Sequence, residues 1–128
     1  MNILLDTNVF IHWVLDSDRL SKSIYETLIA QENTLFLSKI SIWEIQIKSS
    51  LGKLDIGGHL PEVVSEQQEK NGLIILDLSI NHIYTLDRLV PHHRDPFDRL
   101  LIAQAIVENL PIATTDRIFN LYDVQTID

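Results

Sequence analysis

The sequence contains no cysteine. That excludes disulfides, thiolate nucleophiles and Cys-bound zinc, and it is compatible with a reducing compartment. It also lacks an apolar run long enough to cross a bilayer, and it passes directly into Ile3-Leu4-Leu5-Asp6 without a basic flank or a signal-type cleavage site. The expectation is a soluble, cytoplasmic protein with no membrane contact. Positive charge is scarce: 10 Lys and Arg stand against 18 Asp and Glu, a formal net charge of −8. This argues against holding nucleic acid on a broad basic surface, which depends on Lys and Arg displacing counterions. It leaves open an acidic cleft that attracts nucleic acid only after binding divalent cations, and it permits a basic partner protein. Repeats, linkers and low-complexity segments are missing too. A chain of 128 residues, 45% hydrophobic, fits one domain (1–128) with a single sizeable core.

What the chain does contain is an alternation of short apolar runs and helical patterns. Residues 2–5, 35–37, 73–76, 111–114 and 123–127 are the candidate strands. Between them, Val9, Phe10, Trp13 and Val14 recur at helical spacing, and residues 21–30 form a second helix with Ile24, Leu28 and Tyr25 on its buried face. Ser41-Ile42-Trp43-Glu44 has the S-x-x-E form of a capping box, which predicts that a third helix starts there. Pro61 opens a helix that Asn71-Gly72 stops, and residues 79–89 form another, with Ile80, Ile83, Tyr84 and Leu86 or Leu89 available for burial. Strands that are continuously apolar and alternate with helices point to an α/β fold, a mostly parallel five-stranded sheet covered by helices on both faces.

The stretch Asp95-Pro96-Phe97-Asp98 is a helix entrance: Asp95 suits the N-cap, Pro96 the first helical position, and Asp98 falls third. In a parallel sheet, ligands bind at the carboxyl ends of the strands. Asp6 follows the first strand, Glu44 lies early in the helix after the second, Asp98 lies in the first turn of the helix before the fourth, and Asp116 follows the fourth. Asp95 lies at the same edge. Each acid has an ordinary explanation as a turn, capping or dipole residue. Their convergence does not, because neighbouring like charges cost stability unless a cation neutralises them. The oxygen-only set suits Mg²⁺ or Mn²⁺ better than zinc. His92-His93 lacks metal-type spacing, and adjacent residues cannot both face one site from a strand or helix, so neither histidine is assigned to it.

These pieces, Leu4-Leu5-Asp6-Thr7-Asn8, Ser41-Ile42-Trp43-Glu44, Asp95-Pro96-Phe97-Asp98-Arg99-Leu100-Leu101-Ile102-Ala103-Gln104-Ala105 and Ala113-Thr114-Thr115-Asp116, resemble the PIN-domain ribonucleases. Within that family they are similar to the VapC-like toxins of bacterial toxin–antitoxin pairs. The resemblance covers essentially the whole chain and implies a three-layer α/β/α domain. It puts the family's acidic quartet on Asp6, Glu44, Asp98 and Asp116, with Asp95 as an additional acid. It puts the small polar neighbours on Thr7, Asn8, Thr114 and Thr115, of which Asn8 and Thr115 are expected to orient carboxylates or water. The implied chemistry is hydrolysis of RNA phosphodiesters by water activated on one or two Mg²⁺ or Mn²⁺ ions. The implied partners are RNA, a cognate antitoxin and a second copy of the chain. Trp13 and Trp43 are candidates for an antitoxin groove, with core packing as the competing explanation. Lys39, Lys48, Arg94, Arg99 and Arg117 are candidates for RNA contact. Ordinary solubility, or an i,i+4 pair such as Glu44 with Lys48, is the alternative for each.

Two other classes place an acid after the first strand. A haloacid-dehalogenase-like phosphatase wants a second acid at position 8, which is Asn, and a receiver-type signalling module wants an adjacent acidic pair where Asp6 stands alone. A non-catalytic metal-binding module is the third alternative, since ligands without productive geometry still bind metal.

Overall fold

Ile3, Leu4 and Leu5 are all fully buried, although alternate side chains of a strand point to opposite faces. The strand they form, β1 (Asn2–Leu5), must therefore be covered on both sides. The computed structural model describes residues 1–128 and shows how. Ile3 and Leu5 join Leu35 and Leu37 of β2 (Thr34–Ser38) and Ala113 of β4 (Ile112–Ala113) in one core cluster. Leu4 and Ile112 face the other way into a second cluster, against which Phe36 also packs. The first cluster is closed by α1 (Thr7–Val14), α2 (Lys22–Ile29), α3 (Lys39–Ser50) and α4 (Leu60–Asn71). The second is closed by α6 (Pro96–Glu108) with Phe119 and Tyr122.

The sheet order is β3-β2-β1-β4-β5, where β3 is Ile74–Leu76 and β5 is Thr126–Ile127. Every neighbouring pair is parallel, so the sheet is wholly rather than mostly parallel. From β1 the chain steps outward through β2 and β3, then returns to the opposite side of β1 to lay down β4. The order reverses between β1 and β4, and the crevice beyond the strand ends at such a switch point is where open α/β sheets bind ligands.

Most helix limits follow the local chemistry. Ser21 caps α2 by accepting the Ile24 N–H, Asp95 caps α6, and α4 ends at Gly72, whose φ of 65° is the left-handed conformation a glycine adopts without strain. Three expectations are corrected. The third helix begins at Lys39, not after Ser41: Ser38 is its N-cap and accepts the Ile40 N–H at 3.0 Å. Ser41 and Glu44 are therefore inside the helix, and Glu44 caps nothing. The helix α5 (Ile80–Thr85) turns the opposite face inward from the one its apolar residues suggest. Ile80, Ile83 and Tyr84 are exposed and His82 is buried. His82 Nδ1 accepts the Ser79 N–H at 2.9 Å, and Nε2 lies 3.0 Å from Glu108 Oε1 on α6. Polar pairing between the two helices thus sets the rotation of α5. On α2, Tyr25 faces solvent while Ile24 and Leu28 fill the buried face.

The capping assignment has a direct test. Ser38→Ala should cost about 1 kcal/mol of stability, the usual value of a lost side-chain N-cap. Urea unfolding should show this as a lower midpoint with an unchanged slope; an unchanged midpoint would return the helix start to Ser41.

Candidate metal centre

The switch point is lined by carboxylates, and Asp6, Glu44 and Asp98 among them cap no helix. Asp6 ends β1 and occupies the N-cap position of α1, but its side chain makes no capping bond. Instead Oδ2 accepts the Thr114 hydroxyl at 2.8 Å, and the Asp6 backbone N–H donates to Ala113 at 3.0 Å, tying the ends of β1 and β4 together. Glu44 comes in from α3, one turn beyond where a capping acid would sit, and is buried. In α6 the cap is taken by Asp95, whose Oδ1 accepts the Phe97 N–H at 2.8 Å. Asp98 is left without that task. Asp116 does cap, with Oδ1 accepting the Ile118 N–H at 3.0 Å ahead of the 3-10 turn Arg117–Leu121, while Oδ2 points to His93 Nε2 at 3.1 Å.

Electrostatics show what this convergence costs. Burial pushes the Asp6 carboxyl up to about 6; the charges of Glu44 and Asp116 add to the rise, and hydrogen bonds from Thr114 and the Thr7 backbone oppose it. Burial likewise pushes Asp98 up to about 7, helped by the charges of Asp6, Asp95, Glu44 and Asp116. A group that feels four other acids at once marks the centre of the cluster. Glu44 presents the complementary signal: Oε2 accepts the Lys48 ammonium at 2.8 Å, but Oε1 is buried without any hydrogen-bond partner. Buried carboxylate oxygens are normally satisfied, and an orphan of this kind suits a cation. Oxygen donors, mutual repulsion and an unmatched buried oxygen all fit a hard divalent cation.

The neighbouring residues divide differently from the sequence expectation. Thr114 bonds Asp6 and also accepts the Asp116 N–H at 3.0 Å, so it orients two acids. Thr7 is buried and donates to Ser41 Oγ at 2.8 Å, which pins α1 to α3 behind the acids. Asn8 and Thr115, expected to orient carboxylates or water, are exposed, and the side chain that bonds the acids is that of Thr114, buried at the end of β4. Among the basic candidates, Lys48 is held by Glu44, which raises its pKa. Lys39 pairs with Asp77 at 2.5 Å, and Arg99 donates to the Leu86 carbonyl at 3.3 Å. Arg94 and Arg117 are exposed at the margin of the site. Asp95 is a cap whose charge is felt by Asp98. Of the two groove candidates, Trp13 packs against the core, whereas Trp43 is 58% exposed and meets Phe97 edge to face.

His93 was not foreseen. It is buried, and one of its ring nitrogens, an Asp98 oxygen and an Asp116 oxygen lie within 4.8 Å of one another. No local pattern announces it, because its position depends on packing against Phe119 and Tyr122, far along the chain.

Several solved structures are similar over all or nearly all of the chain. VapBC-1 from nontypeable Haemophilus influenzae superposes with a TM-score of 0.72 at 20% identity, covering 100% of this chain and 98% of that one. VapBC2 from Rickettsia felis, bound to a DNA fragment from its promoter, gives 0.71 at 20% identity over 100% of both chains. FitAcB from Neisseria gonorrhoeae gives 0.67 at 22% identity, covering 98% and 96%. At such identities the likeness concerns the fold. No curated protein sequence matches the chain. The PIN domain family model matches residues 3–125, a span that takes in Asp6, Glu44, Asp98 and Asp116, and the chain belongs to the PIN-domain family of nucleases.

Proposed function

We propose that the protein is a Mg²⁺- or Mn²⁺-dependent endoribonuclease that acts in the cytoplasm as the toxin of a toxin–antitoxin pair. The observation that carries the metal-dependent part is geometric: Glu44 keeps one buried oxygen without a partner in a site it shares with Asp6, Asp98 and Asp116, where burial and the neighbouring charges raise the Asp98 carboxyl. Such a cluster is poorly stable as a set of anions and well suited as a cation cage. Asp6, Glu44, Asp98 and Asp116 would hold one or two ions, with Asp95 at their edge. A bound divalent cation lowers the pKa of coordinated water and offsets charge on phosphoryl oxygens. The chain's own part is geometric. Thr114 fixes the Asp6 carboxylate, α3 delivers Glu44, and the first turn of α6 delivers Asp98.

RNA as substrate, and the toxin role, rest on the family resemblance and on the toxin–antitoxin nature of the similar structures. Arg94 and Arg117 are the basic side chains exposed beside the acids, and we assign them to RNA phosphates; Lys39, Lys48 and Arg99 have protein partners. An apolar groove of about 520 Å³ runs between α3 and α4, lined by Ile42, Trp43, Leu60, Pro61, Val64 and Ile75. It suits the apolar face of an antitoxin helix. The second copy of the chain expected from the resemblance would add the dimer common among such toxins. No helix is long and apolar enough to cross a membrane.

Asp6→Asn should abolish Mg²⁺-dependent cleavage of single-stranded RNA while leaving the melting temperature of the metal-free protein equal or higher. Gel analysis of RNA incubated with Mg²⁺, Mn²⁺ or EDTA checks this, and full activity in the variant would sink the reading.

The stability of the metal-free protein carries a second signature. Asp6 and Asp98 have folded pKa values of about 6 and 7 against an ordinary value of 3.8, so they favour folding while protonated. That contribution is complete below about pH 4 and is lost as pH rises through 6 to 7. In EDTA, the melting temperature of Asp98→Asn should exceed that of the unsubstituted protein by several degrees near pH 8, and the gap should narrow by pH 5 and close near pH 4. Mg²⁺ or Mn²⁺ should raise the melting temperature of the unsubstituted protein near pH 8 and have little effect near pH 5. Equal melting curves with and without metal at the higher pH would count against a cation site.

A further inference from the structure

His93 belongs to no motif, yet the fold builds a seat for it in the loop ahead of α6. Its ring stacks on Tyr122, with planes 10° apart and centroids at 5.5 Å, and meets Phe119 edge to face at 4.8 Å. The His93 backbone N–H donates to the Tyr122 hydroxyl at 2.8 Å. Ring and backbone are thus both fixed by residues of the chain's last turns. The result is an imidazole with Nε2 3.1 Å from Asp116 Oδ2 and Nδ1 buried without a partner.

The position of the ring proton follows from this asymmetry. A proton on Nδ1 would be a buried donor with no acceptor, and the Nε2 lone pair would then face a carboxylate oxygen. A proton on Nε2 is donated to Asp116, leaving only a bare acceptor at Nδ1, the less costly kind of orphan. The same asymmetry bears on metal ligation. Histidines that bind metal almost always donate their other ring N–H to a protein group or water, and Nδ1 has no acceptor to receive one. Proximity to Asp98 and Asp116 therefore does not make His93 a ligand.

We infer that His93 is a positioning residue of the acidic site, donating Nε2–H to Asp116 so that this carboxylate is gripped from both ends. The Ile118 N–H holds Oδ1 and His93 holds Oδ2. Each oxygen keeps a lone pair for a cation, while the carboxylate loses the freedom to rotate. The inference rests on the proposed cation site and adds to it a residue outside the acidic quartet on which the geometry of one acid depends.

Two measurements test it. Imidazole ¹⁵N NMR on the metal-free protein should show the proton on Nε2 and a bare Nδ1; a proton on Nδ1 would overturn the inference without any substitution. Mn²⁺ titration followed by electron paramagnetic resonance should show His93→Phe, which keeps a stacking ring, binding Mn²⁺ about 10- to 100-fold more weakly, the usual effect of removing an outer partner of a ligand. Its melting temperature in EDTA should be nearly unchanged. His93→Gln, whose amide restores a donor, should recover part of the affinity. Unaltered affinity in His93→Phe would overturn the role of His93 alone, as would recovery no better in Gln than in Phe. Direct ¹⁴N coupling to Mn²⁺ bound by the unsubstituted protein would replace positioning by ligation. Failure of the unsubstituted protein to bind Mn²⁺ would instead overturn the cation site, and this inference with it.

Discussion

The burial of β1 on both faces governs the rest of the molecule. From Ile3 to Leu5 this central strand has no solvent-facing side chain, so polarity can enter only at its ends. In this chain it enters at once: Leu5 is fully buried and the next residue is Asp6. The parallel arrangement repeats the constraint in β4, where Ala113 is fully buried and Thr114 follows. Because the two strands are neighbours in register, Leu5 opposite Ala113, the first polar residue after each meets the other, and Thr114 donates to Asp6. The site begins as a by-product of two apolar strands stopping at the same level.

The helices then bring acids to that level at a cost the core has to carry. Asp6 and Asp98 are raised to about 6 and 7, so near neutrality the metal-free fold either takes up protons or tolerates repulsion. Lys48 relieves part of this by holding one oxygen of Glu44, and leaves the other unmatched. Two apolar clusters packed against opposite faces of one sheet supply the rigidity that keeps these acids from relaxing apart. A local unfavourable arrangement maintained by a well-packed scaffold is the usual sign of a site kept for function rather than for stability.

The sequence made the strands, the sheet's parallel character and the four acids legible, because each depends on short-range signals: apolar runs, a proline after an aspartate, a glycine after an asparagine. It failed where tertiary contacts override local preference. The pattern Ser41-Ile42-Trp43-Glu44 satisfies the form of a capping box, but Ser38 lies at the end of β2 and captures the helix start three residues earlier. The apolar residues of α5 suggest one buried face, but the pairing of His82 with Ser79 and Glu108 selects another. Beside the acids, Thr114 is buried and bonds Asp6, whereas its sequence neighbour Thr115 and Asn8 are exposed, a division of burial that local sequence does not announce. His93 depends on residues more than twenty positions away, and no window of local sequence contains the ring on which it stacks.

Asp116 shows why capping and chemistry are not alternatives. A carboxylate has two oxygens and several lone pairs, and only one oxygen is needed to cap the turn that follows. With Oδ1 committed to Ile118, rotation about the side chain is restricted and Oδ2 is carried to a defined place beside His93. The cap is thus what makes the second oxygen useful. Asp95 and Asp98 divide the same work between two residues: Asp95 accepts the Phe97 N–H, and Asp98, relieved of that bond, sits one turn deeper among the acids. The motif Asp95-Pro96-Phe97-Asp98 therefore places its second acid by means of its first. Proline at the first helical position reinforces this, since it removes an N–H that would otherwise compete for a carboxylate oxygen.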